Sequence, residues 1–223
     1  GIPLSDDFPP MEQLLNRTHE QRYGYAPLFL ERRPGTVFKY SGGGFLIMQH
    51  LLELLENKKI DDIFRPFLMQ CGIADEFSFN LVLPESVKCA YGVTLKDVEV
   101  APLDGGRLSF PPLAAGGLCT GRALSTFINL LAKAYDGQDS PIRQSTAKEM
   151  LEYSLKDLGA FDFMRAKAGL GVFVAHAGQN RVMLHQAANE GFRGVYMHCF
   201  AGPDKGKGFS LMCSGDNPAV LFQ

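Results

Sequence analysis

The sequence lacks tryptophan, lacks a Cys-x-x-Cys pair and carries no excess of either charge. Its five cysteines, an odd number at wide spacing, fit neither a disulfide framework nor a zinc knuckle, and we interpret them as buried small apolar residues. A net charge of -2 excludes a strongly basic nucleic-acid binder and an acidic disordered tail. No run approaches the roughly 18 apolar residues of a membrane helix. We therefore expect no nucleic-acid partner, no membrane span, no metal and no cofactor.

What is present is an ordinary globular composition, with 46% hydrophobic residues in 223. This length accommodates one large domain or two small ones. The chain begins at Gly1 without a methionine and ends at 220–223 on what resembles the first turn of a helix. We expect it to be a portion of a longer protein.

The hydrophobic pattern changes along the chain. Apolar residues recur at helical spacing up to about residue 160, whereas short segments rich in Val, Phe, Leu and Met, separated by Gly- and Asn-containing turns, follow from about 161 to 223. Helices followed by an antiparallel meander predict an α+β fold. The predicted helices are 45–57, 60–70, a third from about Thr120 or Arg122 to Ala134, and about 145–154. The predicted strands are 168–176, 181–186, 193–201 and 208–214.

Three glycine-containing segments stand at the ends of predicted elements. The first, PGTVFKYSGGGF at 34–45, leads into an apolar helix, and no Lys-Ser/Thr pair follows its glycines, which excludes a phosphate-binding loop. The second is AAGGLC at 114–119, and the third joins GLGV at 169–172 to LHQAANEGFR at 184–193. His185 is predicted to end a strand beside a turn. Taken singly, the first segment is better explained as a tight turn that enters a helix, and His185 as a structural histidine.

In this order the three segments resemble the serine β-lactamase-related family, which comprises class C-like β-lactamases, D-aminopeptidases and esterases of the penicillin-binding-protein fold. The resemblance extends over essentially the whole chain, since 1–3 and 67–73 also match family segments. It implies a helical lobe of about 1–160, an antiparallel sheet portion of about 161–223, and a missing N-terminal part of the fold.

The resemblance also implies roles for individual residues. Tyr40 matches the tyrosine that acts as general base, and His185 matches the first position of the motif on the strand that lines the cleft. Ala188 falls where the family offers an oxyanion N–H, with Gln186 and Gly42 as further substrate contacts. Because a phenol has a pKa near 10, such a base requires a neighbouring cation, which in the family is the lysine of Ser-x-x-Lys.

The sequence departs from the family pattern at three points. Its one Ser-x-x-Lys, at 145–148, follows the second segment and is predicted to start a helix with Ser145 as N-cap. The family's nucleophile would therefore precede residue 1. Gly42 replaces the asparagine of the Tyr-x-Asn motif and Ala187 replaces a glycine, which weakens the match to β-lactam or peptide binding.

These observations leave three interpretations open. The first is the C-terminal portion of a serine hydrolase that cleaves esters or amides through an acyl-enzyme. In this interpretation the 223-residue chain by itself is expected to be catalytically inactive. The second is a non-catalytic binding or regulatory protein that kept the fold, and the third is an unrelated α+β domain. Loss of neighbouring strands would leave 208–214 as an open sheet edge, from which we expect self-association. The sequence identifies neither a substrate nor a compartment.

Overall fold

The computed structural model describes residues 2–3, 11–16, 18, 28–79, 88–100, 108–109, 112–152, 165–217 and 219. Its helices are α1 (Met11–Asn16), α2 (Gly42–Glu56), α3 (Ile60–Gln70), α4 (Gly121–Tyr135) and α5 (Gln144–Glu152), with a single π-helical turn at Pro112–Gly116. Its strands are β1 (Ile2–Pro3), β2 (Phe77–Ser78), β3 (Gly92–Val93), β4 (Glu99–Val100), β5 (Leu108–Ser109), β6 (Leu118–Cys119), β7 (Lys167–Ala168), β8 (Phe173–Ala177), β9 (Asn180–Asn189), β10 (Phe192–Ala201) and β11 (Gly208–Cys213). None of the helices in these ranges has the length and apolar character needed to span a bilayer.

The predicted meander is present as a five-stranded antiparallel sheet in the order β11-β10-β9-β8-β7. The remaining short strands form separate two-stranded ladders. The segment predicted as one strand at 168–176 is two strands, because the chain leaves the sheet at Gly169. There the backbone approaches α5 so closely that a Cβ would lie 2.2 Å from the carbonyl oxygen of Met150, which is a physical reason for glycine at this position.

The helix boundaries follow from capping residues. α2 begins at Gly42 rather than at the predicted residue 45, because the Ser41 hydroxyl accepts a hydrogen bond from the Gly44 N–H and caps the helix. Thr120 caps α4 in the same way through the Ala123 N–H. The 60–70 helix has the predicted bounds. The last two residues of the predicted helix 145–154 lie outside the described residues.

Apolar packing joins α4 and α5 to one face of the sheet. The buried cluster includes Leu131 of α4, Leu151 of α5, Met183 of β9 and Phe200 of β10, all at most 1% exposed. Arg181 reinforces this contact, since its guanidinium donates to the carbonyl oxygen of Leu151 and lies 4.9 Å from the ring centre of Phe200. The end of α5 is thereby fixed to β9, the strand that continues into the site.

The last strand lies at the edge of the described sheet. β11 pairs with β10 and, within the described residues, with no other strand. Phe209 and Met212 of β11 are about half exposed. The expected open edge is therefore present, and the self-association inferred from it stays a prediction.

Core packing predicts unequal costs for two leucine truncations. Leu131→Ala, at a position 1% exposed, should lower the free energy of unfolding by about 2–5 kcal/mol through lost burial and a residual cavity. Leu54→Ala, at an α2 position 66% exposed, should change it by less than about 1 kcal/mol. Urea unfolding monitored by circular dichroism measures both. Equal losses would contradict the packing described.

Candidate active site

A cleft of about 820 Å³ lies between the segment that leads into α2 and the distal half of β9. Residues 28–35, with Val37 and Lys39, and the start of α2 form one wall, and 185–189 form the other. The cleft is lined by the five candidate residues predicted from the sequence, Tyr40, Gly42, His185, Gln186 and Ala188, and also by Ala187. Segments separated by more than 140 positions in the chain are therefore adjacent in space.

Half of β9 pairs on one side only. β9 has ten residues but β8 has five, and the β8–β9 ladder ends at the pair Phe173 and Leu184. From His185 to Asn189 the strand pairs with β10 alone among the described strands. The prediction that His185 ends its strand is therefore wrong, because the β9–β10 ladder continues for four further residues.

The register shows which backbone groups are available at this open edge. Glu190 and Gly191 form a two-residue turn, so the closing pair Asn189 and Phe192 exchanges both of its hydrogen bonds. Alternation along an antiparallel ladder then directs the N–H and C=O groups of His185 and Ala187 toward β10. Those of Gln186 and Ala188 point the other way, toward the open edge of the strand.

The imidazole of His185 forms a hydrogen bond at the same strand edge. Its Nδ1 is bonded to the carbonyl oxygen of Gln186, and because a carbonyl only accepts, Nδ1 carries the proton. Burial lowers the pKa of His185 below its ordinary 6.5, and the bond to Gln186 only partly opposes this effect. At neutral pH the ring is therefore uncharged, with Nε2 as an acceptor. The side-chain amide nitrogen of Gln186 is buried without a hydrogen-bond partner among the described groups.

Three aromatic rings cluster where Tyr40 and His185 line the cleft. The ring centres of Tyr40 and His185 are 6.0 Å apart, those of Tyr40 and Phe173 are 6.3 Å apart and those of Phe173 and His185 are 5.2 Å apart. Phe173 also contacts Phe38 edge-on at 6.1 Å. The sequence analysis missed Phe173, and its position directly after GLGV was the available signal. Its ring holds the two candidate side chains from opposite walls in one apolar cluster.

Two hydrogen bonds connect the cleft walls through the π-helical turn. The Gln49 side chain on α2 accepts from the Leu113 N–H at 3.1 Å. The Asn189 side chain at the end of β9 donates to the carbonyl oxygen of Ala115 at 3.0 Å. Gln49 and Asn189 were not predicted, because no local pattern announces a partner 64 or 74 residues distant.

The departures from the family pattern have visible structural consequences. Gly42 has room for a side chain, since an added Cβ would meet only Ala114 Cβ, at 3.9 Å. Ala187 is exposed. The Ser145-x-x-Lys148 sequence lies in α5, and neither residue lines the cleft. α5 begins at Gln144, so Ser145 stands inside its first turn and the prediction that it is the N-cap is wrong.

Within the described ranges, no three His, Cys, Asp or Glu side chains are grouped as metal ligands would be. The charged side chains that line the cleft belong to Glu31, Arg32, Arg33 and Lys39. The site is thus built from a phenol, a neutral imidazole, an open strand edge and a cationic rim.

Comparison with known proteins identifies the fold. No family model matches the sequence, and no curated protein does. The structure is similar to a penicillin-binding protein from Bacillus halodurans (TM-score 0.68, 12% identity, 98% of this chain and 62% of that one). It is also similar to a β-lactamase/D-alanine carboxypeptidase from Pseudomonas syringae (0.66, 13%, 97% and 63%) and to a D-amino acid amidase from Ochrobactrum anthropi SV3 (0.59, 18%, 81% and 51%).

The chain accordingly has the serine β-lactamase and penicillin-binding-protein fold, in which helices accompany an antiparallel sheet. The resemblance inferred from the three glycine-containing segments is confirmed at the level of the fold. The chain spans about half to two thirds of the length of these solved structures.

The lowered pKa of His185 predicts a pH dependence of stability. Below about pH 6.5 the unfolded chain binds a proton at this position that the folded chain does not bind, so the free energy of unfolding falls as the pH falls. His185→Gln should remove part of this decline. Urea unfolding from pH 8 to pH 5 measures it, with the pH 8 values as the baseline for each protein. A variant profile parallel to that of the unmodified protein would contradict the assignment.

The alternation along β9 predicts opposite responses to proline at two adjacent alanines. Ala188→Pro removes an N–H that points to the open edge, and should leave stability nearly unchanged. Ala187→Pro removes an N–H bonded within the ladder and leaves a carbonyl of β10 without its donor, at a cost of about 1–3 kcal/mol. Both side chains are exposed, so the comparison isolates the backbone. Urea unfolding of the two variants measures the difference, and equal destabilisation would contradict the register.

Proposed function

We propose that this chain forms the general-base and oxyanion side of a serine hydrolase site that cleaves esters or amides through an acyl-enzyme. The observation that carries the proposal is the position of Tyr40 opposite an open strand edge that offers the Ala188 N–H. Acyl transfer requires a group that accepts the nucleophile's proton and a donor directed at the developing oxyanion. Tyr40 and Ala188, the candidates for these two roles, line the same cleft, which supports the proposal.

In this proposal the Tyr40 phenolate accepts the proton of an attacking serine hydroxyl. The serine oxygen forms a bond to the acyl carbon, and the carbonyl oxygen gains the negative charge that the Ala188 N–H stabilises. The collapse of this intermediate breaks the bond to the alcohol or amine, which takes up the proton held by Tyr40. Water then gives a proton to Tyr40 and adds to the acyl carbon, and the serine oxygen leaves with that proton as the acid is released. His185, uncharged and with Nε2 free to accept, orients a hydroxyl of the substrate or of a bound water.

The nucleophilic serine and its lysine are proposed to lie outside this chain. Ser41 lines the cleft, but its hydroxyl oxygen already caps α2. The only Ser-x-x-Lys is in α5, away from the cleft. The proposal expects a Ser-x-x-Lys encoded roughly 80 to 90 residues before Tyr40.

The second candidate function is a non-catalytic binding or regulatory protein. Gly42 favours it, because the cleft has space at this position and yet no amide to hold an acyl-amide group. Such a protein would keep the cleft as a ligand site and lack turnover. The kinetic measurement below distinguishes the two functions.

The proposal predicts the kinetics of a protein that joins this chain to its upstream coding sequence. Tyr40→Phe should lower kcat for p-nitrophenyl butyrate by about 10²-fold or more, because proton transfer loses its acceptor. Ala188→Pro should lower kcat by about 10²–10³-fold through loss of the oxyanion donor. Tyr91→Phe, at an exposed tyrosine outside the cleft, is the matched control and should leave kcat unchanged.

The 223-residue chain alone should show no serine labelled by a fluorophosphonate probe, as read by mass spectrometry. A labelled serine in this chain would contradict the assignment of the nucleophile to a different segment. Undiminished kcat in the Tyr40→Phe variant would contradict the role of the phenol, and absence of turnover in the joined protein would favour the binding function.

A further inference from the structure

The charge on the cleft wall that carries Tyr40 is strongly unbalanced. Among the side chains that line the cleft, two arginines and one lysine stand against a single glutamate, which leaves a net formal charge of +2. Glu31 forms an ion pair with Lys39, and this lysine, with a smaller electrostatic effect of Arg32, lowers the pKa of the Glu31 carboxyl. Within the described part of the chain, no carboxylate forms an ion pair with Arg32 or Arg33.

The backbone around the two arginines is held in place at both ends. The Lys39–Glu31 pair joins residues eight positions apart and closes the loop between them. Inside the loop the Thr36 hydroxyl donates to the carbonyl oxygen of Arg33 at 2.7 Å, across a turn in which Gly35 has a φ of 78°. Arg32 and Arg33 therefore emerge from a braced turn at the cleft rim and not from an unrestrained loop.

The opposite wall carries no charged side chain that would balance this positive charge. His185 is neutral at pH 7 because burial disfavours its charged form, and residues 186–189 carry no ionisable side chain. Beside the arginines the wall is apolar, with Leu28, Phe29, Leu30 and Val37. A ligand that fits both features has an apolar body and an anionic group, because the guanidinium fork binds carboxylate and phosphate oxygens in pairs.

We propose that Arg32 and Arg33 form an anion-binding subsite, so that the cleft selects acyl substrates with an apolar body and a carboxylate or phosphate group. This proposal deepens the function proposed above. It rests on that function only in taking the bound anion to be a substrate, since the subsite binds the anion whether or not acyl transfer occurs. It assigns anion recognition to the wall that precedes Tyr40, whereas the strand that carries His185 contributes backbone donors.

The test uses the 223-residue chain and requires no turnover. Dissociation constants of 4-phenylbutyrate, phenyl phosphate and the neutral 4-phenylbutyramide are measured by NMR titration in 20 mM and 500 mM NaCl. At low salt at least one of the two anions should bind about five-fold or more tightly than the amide, as two exposed ion pairs allow. The preference should diminish at 500 mM, because exposed charges are screened.

The variant R32Q/R33Q should abolish the preference while the amide binds as before. The control K58Q/K59Q removes the same charge between α2 and α3, outside the cleft, and should keep the preference. Equal binding of both anions and the amide, or a preference that survives R32Q/R33Q, would overturn the subsite. A preference that survives Tyr40→Phe but disappears in R32Q/R33Q supports it independently of the catalytic proposal.

Discussion

The site depends on the difference in length between two neighbouring strands. β9 continues for five residues beyond Leu184, its last residue paired with β8. The backbone N–H and C=O groups of a central strand normally form hydrogen bonds with both neighbouring strands, so none of them is available to a ligand. Here residues 185–189 pair with β10 alone among the described strands, and the alternation of the ladder leaves the groups of Gln186 and Ala188 directed outward. The cleft and the orientation of the backbone donors follow from this half-paired segment, whereas the neutral state of His185 comes from the burial of its ring.

The open edge is useful only because other contacts keep it in position. Apolar burial between α4, α5 and the sheet supplies the rigidity, and Arg181 fixes the proximal half of β9 to the end of α5. Polar contacts then locate the distal half, through Asn189 on the π-helical turn and Gln49 on α2. The packed core thus determines where β9 lies, and two amide side chains determine how far α2 and Tyr40 stand from it.

The sequence predicted what is encoded locally. The helical period with two acids at its start gives α3 its observed bounds, and Thr120 marks the start of α4. The order of the motifs predicted that Tyr40 and residues 185–188 share one cleft, although they are far apart in the chain. Prediction failed where pairing between distant segments decides. β9 continues past His185 because it pairs with β10, and one edge of this continuation is open because β8 begins only at Phe173. Neither fact is encoded in the sequence around His185.

Other features could not be predicted from the sequence for the same reason. Phe173 looks like an ordinary strand residue, and its role as the ring between Tyr40 and His185 exists only after the sheet forms. The hydrogen bonds of Gln49 and Asn189 connect residues so far apart in the sequence that no periodic pattern predicts them. Ser145 was predicted as a cap from its residue type and from the family's helix start, whereas α5 already begins at Gln144.

The central claim is that the open edge of β9 opposite Tyr40 is where an acyl group binds. The most direct measurement is a titration of the ¹⁵N-labelled chain with N-acetylglycine amide, followed through backbone and ring resonances. The account predicts that the largest shifts occur at the Gln186 and Ala188 amides and at the rings of Tyr40 and His185, with small shifts at Ala187. Shifts concentrated outside the cleft, for instance at the β3–β4 hairpin, with unchanged Ala188 and Tyr40 resonances, would contradict it.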